Sequence, residues 1–281
     1  MSEFTAHPAR KRFAELARLP DDEIPLDEAA LLIQAEEESD FEVRQGLAAL
    51  NALAEQIRYE IEREETLLQK FDVLREFIYE RLEFHGSQDD YYCAENSYLG
   101  SVIERRAGIP ITLAVVMMEV ARRLDIPLQG VGFPMHFLVR LDLPKSAIFA
   151  DPYDRAQVML TEDCRFFLEQ LSRGRIEFSE QLLAPATNRQ ILIRMLSNLK
   201  AVFARDGELE RAITVVDRIL LLSPRASHEH RDRGLLHFGL GRFGLALADL
   251  ERYLVQEPEA PDRIEILGKV EEARAEIHKQ N

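Results

Sequence analysis

One run of sequence constrains this chain more than any other. Residues 111–124, ITLAVVMMEVARRL, are apolar on most faces of a helix, and such a helix has to lie at the centre of a core with other elements arranged round it. Gly-Ile-Pro at 108–110 precedes it. Proline suits a first helical turn, where its missing N–H has no helical partner anyway. Asp125-Ile126-Pro127 stops the helix. Runs of strand character follow at 128–131, 137–141 and 146–150, and the short Leu-Pro-Lys connection predicts an antiparallel pair for the last two. Ahead of the apolar run, Leu99, Val102 and Ile103 mark an amphipathic helix that Asn96-Ser97 is placed to cap and Gly108 to end.

Residues 1–90 read as a helical lead-in. Ile24-Pro25-Leu26-Asp27 opens one helix, with Asp27 in a first turn where an acid meets the positive end of the dipole. Phe41 to Ile57 and Leu67 to Leu82 carry apolar residues at helical spacing. The acidic clusters Glu36–Asp40 and Glu60–Glu65 are expected to be solvated faces and connections. A polar loop, His85 to Asp90, leads into Tyr91-Tyr92-Cys93. After the strands, Asp151-Pro152-Tyr153 is a turn, and Thr161-Glu162-Asp163 starts a helix containing Phe166, Phe167 and Leu168.

The last third repeats itself. Gly207, Ala212 and Pro224 recur 34 residues later as Gly241, Ala246 and Pro258, the period and pattern of the tetratricopeptide helix–turn–helix unit. In the first copy Leu196, Leu199 and Phe203 fall on helix A, and Val216 and Ile219 on helix B. In the second, Gly234 and His237 take helix A positions in an unusually polar segment, with Leu250 and Tyr253 on helix B. Two copies are fewer than a free-standing solenoid needs. The repeat helices are therefore expected to pack on the middle of the chain or on a closing helix near Asp262 to Lys279.

Composition removes several function classes. A formal charge of −15 over 281 residues opposes nucleic-acid binding and adsorption to an anionic membrane. Cys93 and Cys164 are the only cysteines, too few for a secreted disulfide scaffold and without the clustering a zinc site needs. No metal or cofactor is expected. With neither a signal-type apolar run at the N-terminus nor a membrane-length apolar stretch, a cytoplasmic location with reduced thiols is expected.

Through the runs NSYL, VIERRAGIPITL, EVARRLDIPLQGVGFPMHFLVRL and FADPYD, the chain resembles the bacterial SirB-like proteins, which join a transglutaminase-like core to tetratricopeptide repeats. The resemblance implies an α+β, mainly helical fold. Residues 1–90 would be N-terminal helices, 91–185 a transglutaminase-like core with a small antiparallel sheet, and 186–281 tetratricopeptide-like hairpins. In active members of that wider superfamily a Cys at the start of the buried helix attacks an acyl carbon. The helix dipole and a His favour its thiolate, and an Asp orients the His. Carried over, His136 matches the motif His and Asp151 the motif Asp, while Pro110 stands where the Cys would be. Proline offers no nucleophile.

Thr112 lies two positions further on, turned away by helical rotation of about 100° per residue. Cys93 would reach His136 only if the loop of residues 91–95 folded over it, and Cys164 reads as a packing residue. Asn96 and Glu104, with Thr112, are candidate binding residues at the same cleft, against the simpler reading of capping or solvation. The expectation is a non-catalytic interaction protein for a protein or peptide partner. The competing expectation is a hydrolase or acyl-transferase using His136 and Asp151 with an atypical nucleophile.

Overall fold

A computed structural model describes residues 7–88 and 92–280. Asp89, Asp90 and Tyr91 of the predicted polar loop, and the first six residues, lie outside the described residues. The chain divides into two compact units, one running to Met195 and one from Leu196 onward.

The first unit begins with four helices: α1 (Pro8–Leu16), α2 (Leu26–Glu37), α3 (Val43–Glu62) and α4 (Leu67–Glu76). Asp27 and Glu28 sit in the first turn of α2. A reciprocal capping box between Thr66 and Gln69 starts α4. Beyond α4 the chain widens into a π turn, Phe77–Arg81, instead of continuing as α-helix. One expectation fails here: Glu36 is not a solvated acid. Both its oxygens receive Arg10 Nε, at 2.7 and 2.9 Å, and both side chains are buried.

Strand β1 (His85–Gly86) pairs in parallel with β2 (Ala107–Gly108), and α5 (Leu99–Arg105) lies between them in sequence. Two sequence expectations give way at α5. Its N-cap is Tyr98, with no side-chain cap bond, and Asn96 instead closes a short 3-10 turn. The helix ends on Arg106 in the left-handed region (φ +57°), so Gly108 is a strand residue and not a helix terminator.

Helix α6 (Pro110–Arg123) is the predicted buried helix, and every residue from Pro110 to Ala121 is buried. An ionic cluster fixes its C-terminal end. Asp27 Oδ2 accepts from Arg123 Nη2 at 2.6 Å and Arg122 Nη2 at 3.0 Å, and Glu119 Oε2 accepts from both arginines at 2.9 Å. Burial works against the charge on Asp27, but the Arg123 hydrogen bond and the neighbouring positive charges hold its carboxyl below its ordinary value. Burial, with the Asp27 charge, pushes Glu119 up despite the arginines.

The sheet runs β3 (Leu128–Val131), β4 (Leu138–Asp142), β5 (Ala147–Asp151), β6 (Gln157–Met159), each antiparallel to the next. Both members of the predicted hairpin start one residue later than the sequence suggests, and β6 is an additional strand. Leu138 and Phe149 pack with Cys164 and Leu168 of α7 (Thr161–Ser172). The unit closes with the first residues of α8 (Asn188–Arg205).

In the second unit the rest of α8 and α9 (Leu209–Leu222) form the first repeat, and α10 (Ser227–Gly239) and α11 (Phe243–Gln256) the second. Helix α12 (Arg263–Gln280) closes the unit, its Ile266 and Val270 packed on Leu250 and Tyr253. The repeats differ inside. Buried Leu196, Leu199, Phe203 and Val215 of the first are replaced, 34 residues on, by His230, Arg233, His237 and Asp249. Arg233 holds Asp249 through two hydrogen bonds, at 2.7 and 2.8 Å, and Asp217 through a third at 2.6 Å. His230 Nδ1 lies 3.2 Å from Asp249 Oδ1.

Candidate functional site

His136 stands just before β4, on a turn in which Met135 has a positive φ (+61°) and the His136 N–H bonds to Phe133 O. Asp151 is the last residue of β5. The register that pairs Val139 with Ala150 carries the start of β4 alongside the end of β5, so the two predicted residues meet. His136 Nε2 lies 2.7 Å from Asp151 Oδ1, and both side chains are about nine-tenths buried. The same oxygen accepts the Tyr153 N–H at 2.9 Å, fixing the carboxylate at the head of the 3-10 turn Pro152–Asp154. The imidazole stands edge-on to the rings of Phe167 (5.2 Å between centroids) and Tyr153 (6.2 Å).

An ionised carboxylate only accepts, so in neutral imidazole Nε2 carries the proton and Nδ1 presents its lone pair. Nδ1 makes no hydrogen bond to a described residue. The pair can therefore take a proton from, or orient, a polar group brought to Nδ1.

The beginning of α6 is tied into the same region. Ser87 N donates to Gly108 O, and Tyr153 Oη donates to Ser87 O at 2.7 Å. Gly86 is required by close approach, because a Cβ there would stand 2.5 Å from the Tyr153 ring. Tyr79, from the π turn, is wholly buried. Its hydroxyl has no hydrogen-bond partner among the described residues, and burial together with the Asp151 charge holds its proton on.

Pro110 is the first residue of α6. Thr112 is fully buried; its hydroxyl donates to Asn96 O at 2.7 Å and receives the Ile109 N–H at 3.2 Å. Asn96 is equally buried, so Asn96 and Thr112 are brought together as an internal brace for the start of α6. Glu104 is exposed on α5. Cys93 is half-buried with its sulfur against the Glu95 carboxylate. Cys164 is enclosed in the β5–α7 core, where burial and the Asp163 charge push its thiol up to about 12. Among the described residues no group of three or more His, Cys, Asp or Glu side chains is arranged to hold a metal ion, and no helix is long and apolar enough to cross a membrane.

Sequence reasoning missed Tyr153, Phe167, Ser87 and Gly86 as parts of the site. Only Asp-Pro-Tyr carried a signal, since an Asp before a turn commonly caps it with its own side chain.

Known proteins share this organisation. The profile of the transglutaminase-like superfamily matches residues 44–197, and that of the tetratricopeptide repeat matches residues 199–268. A UPF0162 protein of Xylella fastidiosa is 39% identical over 246 residues, covering 86% of this chain and 88% of the relative. The UPF0162 protein YchA of Escherichia coli is 28% identical over 251 residues, covering 88% and 91%. Mouse F-box only protein 21 is 31% identical over 148 residues, which is 50% of this chain and 22% of that protein. No solved structure gives a significant match. The chain belongs to the transglutaminase-like superfamily and, within it, to the UPF0162 proteins.

Proposed function

We propose that this chain is a non-catalytic protein-interaction module: a degenerate transglutaminase-like core, of the SirB-like kind, joined to tetratricopeptide hairpins that hold a protein or peptide partner. The observation that carries the reading is Pro110 at the head of α6, with the next hydroxyl along, Thr112, buried and committed to Asn96 O. Helix α6 thus offers no nucleophile to His136 and Asp151. Stacked helical hairpins are a common way of building a partner surface. A reducing cytoplasm is part of the reading and accords with the low cysteine content. Affinity capture with Arg242→Glu tests it, because Arg242 pairs with Glu210 on the exposed surface of the repeats and lies outside their core. Wild-type protein is expected to recover a partner that the variant loses. A wild type without a partner, or a variant that keeps every partner, removes the support.

One observation favours a second reading, a hydrolase or acyl-transferase of transglutaminase-like type. His136 is held by Asp151 with Nδ1 open, as a general base requires. Water or Cys93 would be its nucleophile. His136→Ala and Cys93→Ala proteins assayed on amide and ester substrates decide it, since turnover unchanged in both ends the enzymatic reading.

A further inference from the structure

The interior of the second hairpin holds an uneven set of charges. Arg233 of α10 donates to Asp249 of α11 through Nε and Nη2, and to Asp217 of α9 through Nη1. One guanidinium thus faces two carboxylates, and the Asp249 side chain is only 10% exposed. The matching positions of the first repeat, 34 residues earlier, hold buried Leu199 and Val215 in place of Arg233 and Asp249. A charge left unbalanced away from water is costly, so the cluster calls for a second positive group.

His230, three residues before Arg233 on α10, stands where that group is needed. Its side chain is 3% exposed, with Nδ1 3.2 Å from Asp249 Oδ1 and Nε2 3.4 Å from the Pro224 carbonyl oxygen. Both oxygens only accept, whereas a neutral imidazole has one donor and one lone pair. Either neutral tautomer therefore sets a lone pair against an oxygen in a buried place. The imidazolium alone donates to both. The charged groups facing the ring are Arg233 on its own helix, Asp249 on α11, Asp217 on α9 by way of Arg233, and Arg252 of α11, which shares the Pro224 carbonyl at 3.3 Å. Lys200 of α8 is turned to Glu229 and Asp232, and Asp262 ahead of α12 to Arg231 and Tyr253.

We propose that the folded chain carries His230 as an imidazolium whose second proton latches α10 to Pro224 and α11, making the second repeat a proton-dependent joint that loosens in alkali. A proton bound in the closed hairpin and released when it opens favours the closed form less and less as pH rises. His237, seven residues on, has the opposite character. Its buried Nδ1 has no hydrogen-bond partner among the described residues, and burial lowers its hold on a proton. Acid thus acts on α10 at His237 and alkali at His230. The inference is independent of the Pro110 argument and of any partner at the repeat surface.

Long-range 1H–15N correlation on the full wild-type chain, with the His230 ring assigned through its own backbone resonances, reads the proton directly. Both ring nitrogens of His230 are expected to be protonated at pH 7 and still at pH 8, where an unstructured histidine peptide measured alongside is neutral. Hydrogen exchange then reads the joint. Protection of the α10 amides, corrected for the intrinsic rate, is expected to fall about tenfold or more between about pH 6.5 and 9 in wild type. In His230→Gln, whose amide keeps one donor and does not titrate, protection is expected to be lower at pH 6.5 and level across the range. A neutral His230 tautomer at pH 7 would overturn the proposal, as would wild-type protection that stays level with pH or falls equally in the variant. The ring measurement needs no substitution, so it decides the matter even where His230→Gln does not fold.

Discussion

Asp151 Oδ1 stands 2.7 Å from His136 Nε2, a contact made across one β-hairpin by two residues fifteen apart in sequence. It fixes which face of the imidazole is spent and which is open. Long-range 1H–15N correlation at alkaline pH is expected to show His136 as the Nε2–H tautomer with Nδ1 bare. Asp151→Ala, which leaves Nε2 without its acceptor, is expected to give a mixture of tautomers.

The two thiols should react very differently. With its thiol pushed up to about 12 in the core, Cys164 presents only about one part in ten thousand as thiolate at pH 8. A chromogenic disulfide reagent is expected to titrate Cys93 in the native protein and Cys164 only after denaturation. Rapid modification of both in the native state would contradict the enclosed position of Cys164.

Gly86→Ala drives a methyl into the Tyr153 ring and is expected to lower stability by about 1–3 kcal/mol. Urea denaturation of the double variant with Tyr153→Ala provides the control. Removing the ring first should make the added methyl nearly neutral, a coupling expected only between touching groups.

Asp27→Asn takes from Arg123 one of its two carboxylates in a buried setting, Glu119 remaining, a loss expected to be about 1–3 kcal/mol. The folded protein holds the Asp27 carboxyl below its ordinary value. Its contribution is therefore present above that ordinary value and disappears as pH falls through the folded value. Denaturation midpoints of wild type and variant should accordingly converge in acid. Glu119, raised by burial, works with the opposite sign, its favourable share being lost as pH rises.

His237 is buried, and burial together with Arg233 and Arg242 lowers its tendency to bind a proton, against the pull of Asp249 and Asp217. A neutral ring preferred in the fold stabilises it above the ordinary histidine value, and that share is lost as pH falls below it. Melting temperatures between about pH 7.5 and 5 should fall more steeply for wild type than for His237→Phe, which installs the side chain that Phe203 supplies in the first repeat.

Much of this architecture was legible because it rests on short-range pattern. The apolar face count of 111–124 announced α6, the 34-residue period announced the hairpins, and the order His136 then Asp151 across a predicted hairpin announced their meeting. What was not legible depends on partners far apart in the chain. Nothing near Asp27 points to Arg122 and Arg123, some 95 residues away. The parallel pairing of His85–Gly86 with Ala107–Gly108 is two residues long, too short for any periodicity. Local preference favours Asn96 and Gly108 as the caps of α5, and the helix uses neither. Tertiary demands won instead: Asn96 O braces Thr112, and Gly108 O is the acceptor for Ser87 N.

The contrast between the two repeat interiors bears on how the chain avoids folding wrongly. Adjacent hairpins of one design can exchange helices, within a molecule or between two. Here a crossed pairing of α8 with α11 would set Leu196 and Phe203 against Asp249 and take Asp249 from Arg233. That mismatch strands a charge in an oily seam. The salt-bridged interior of the second hairpin thus works as an address label, and a chain in which it is overwritten with the leucine-rich version should form domain-swapped dimers more readily.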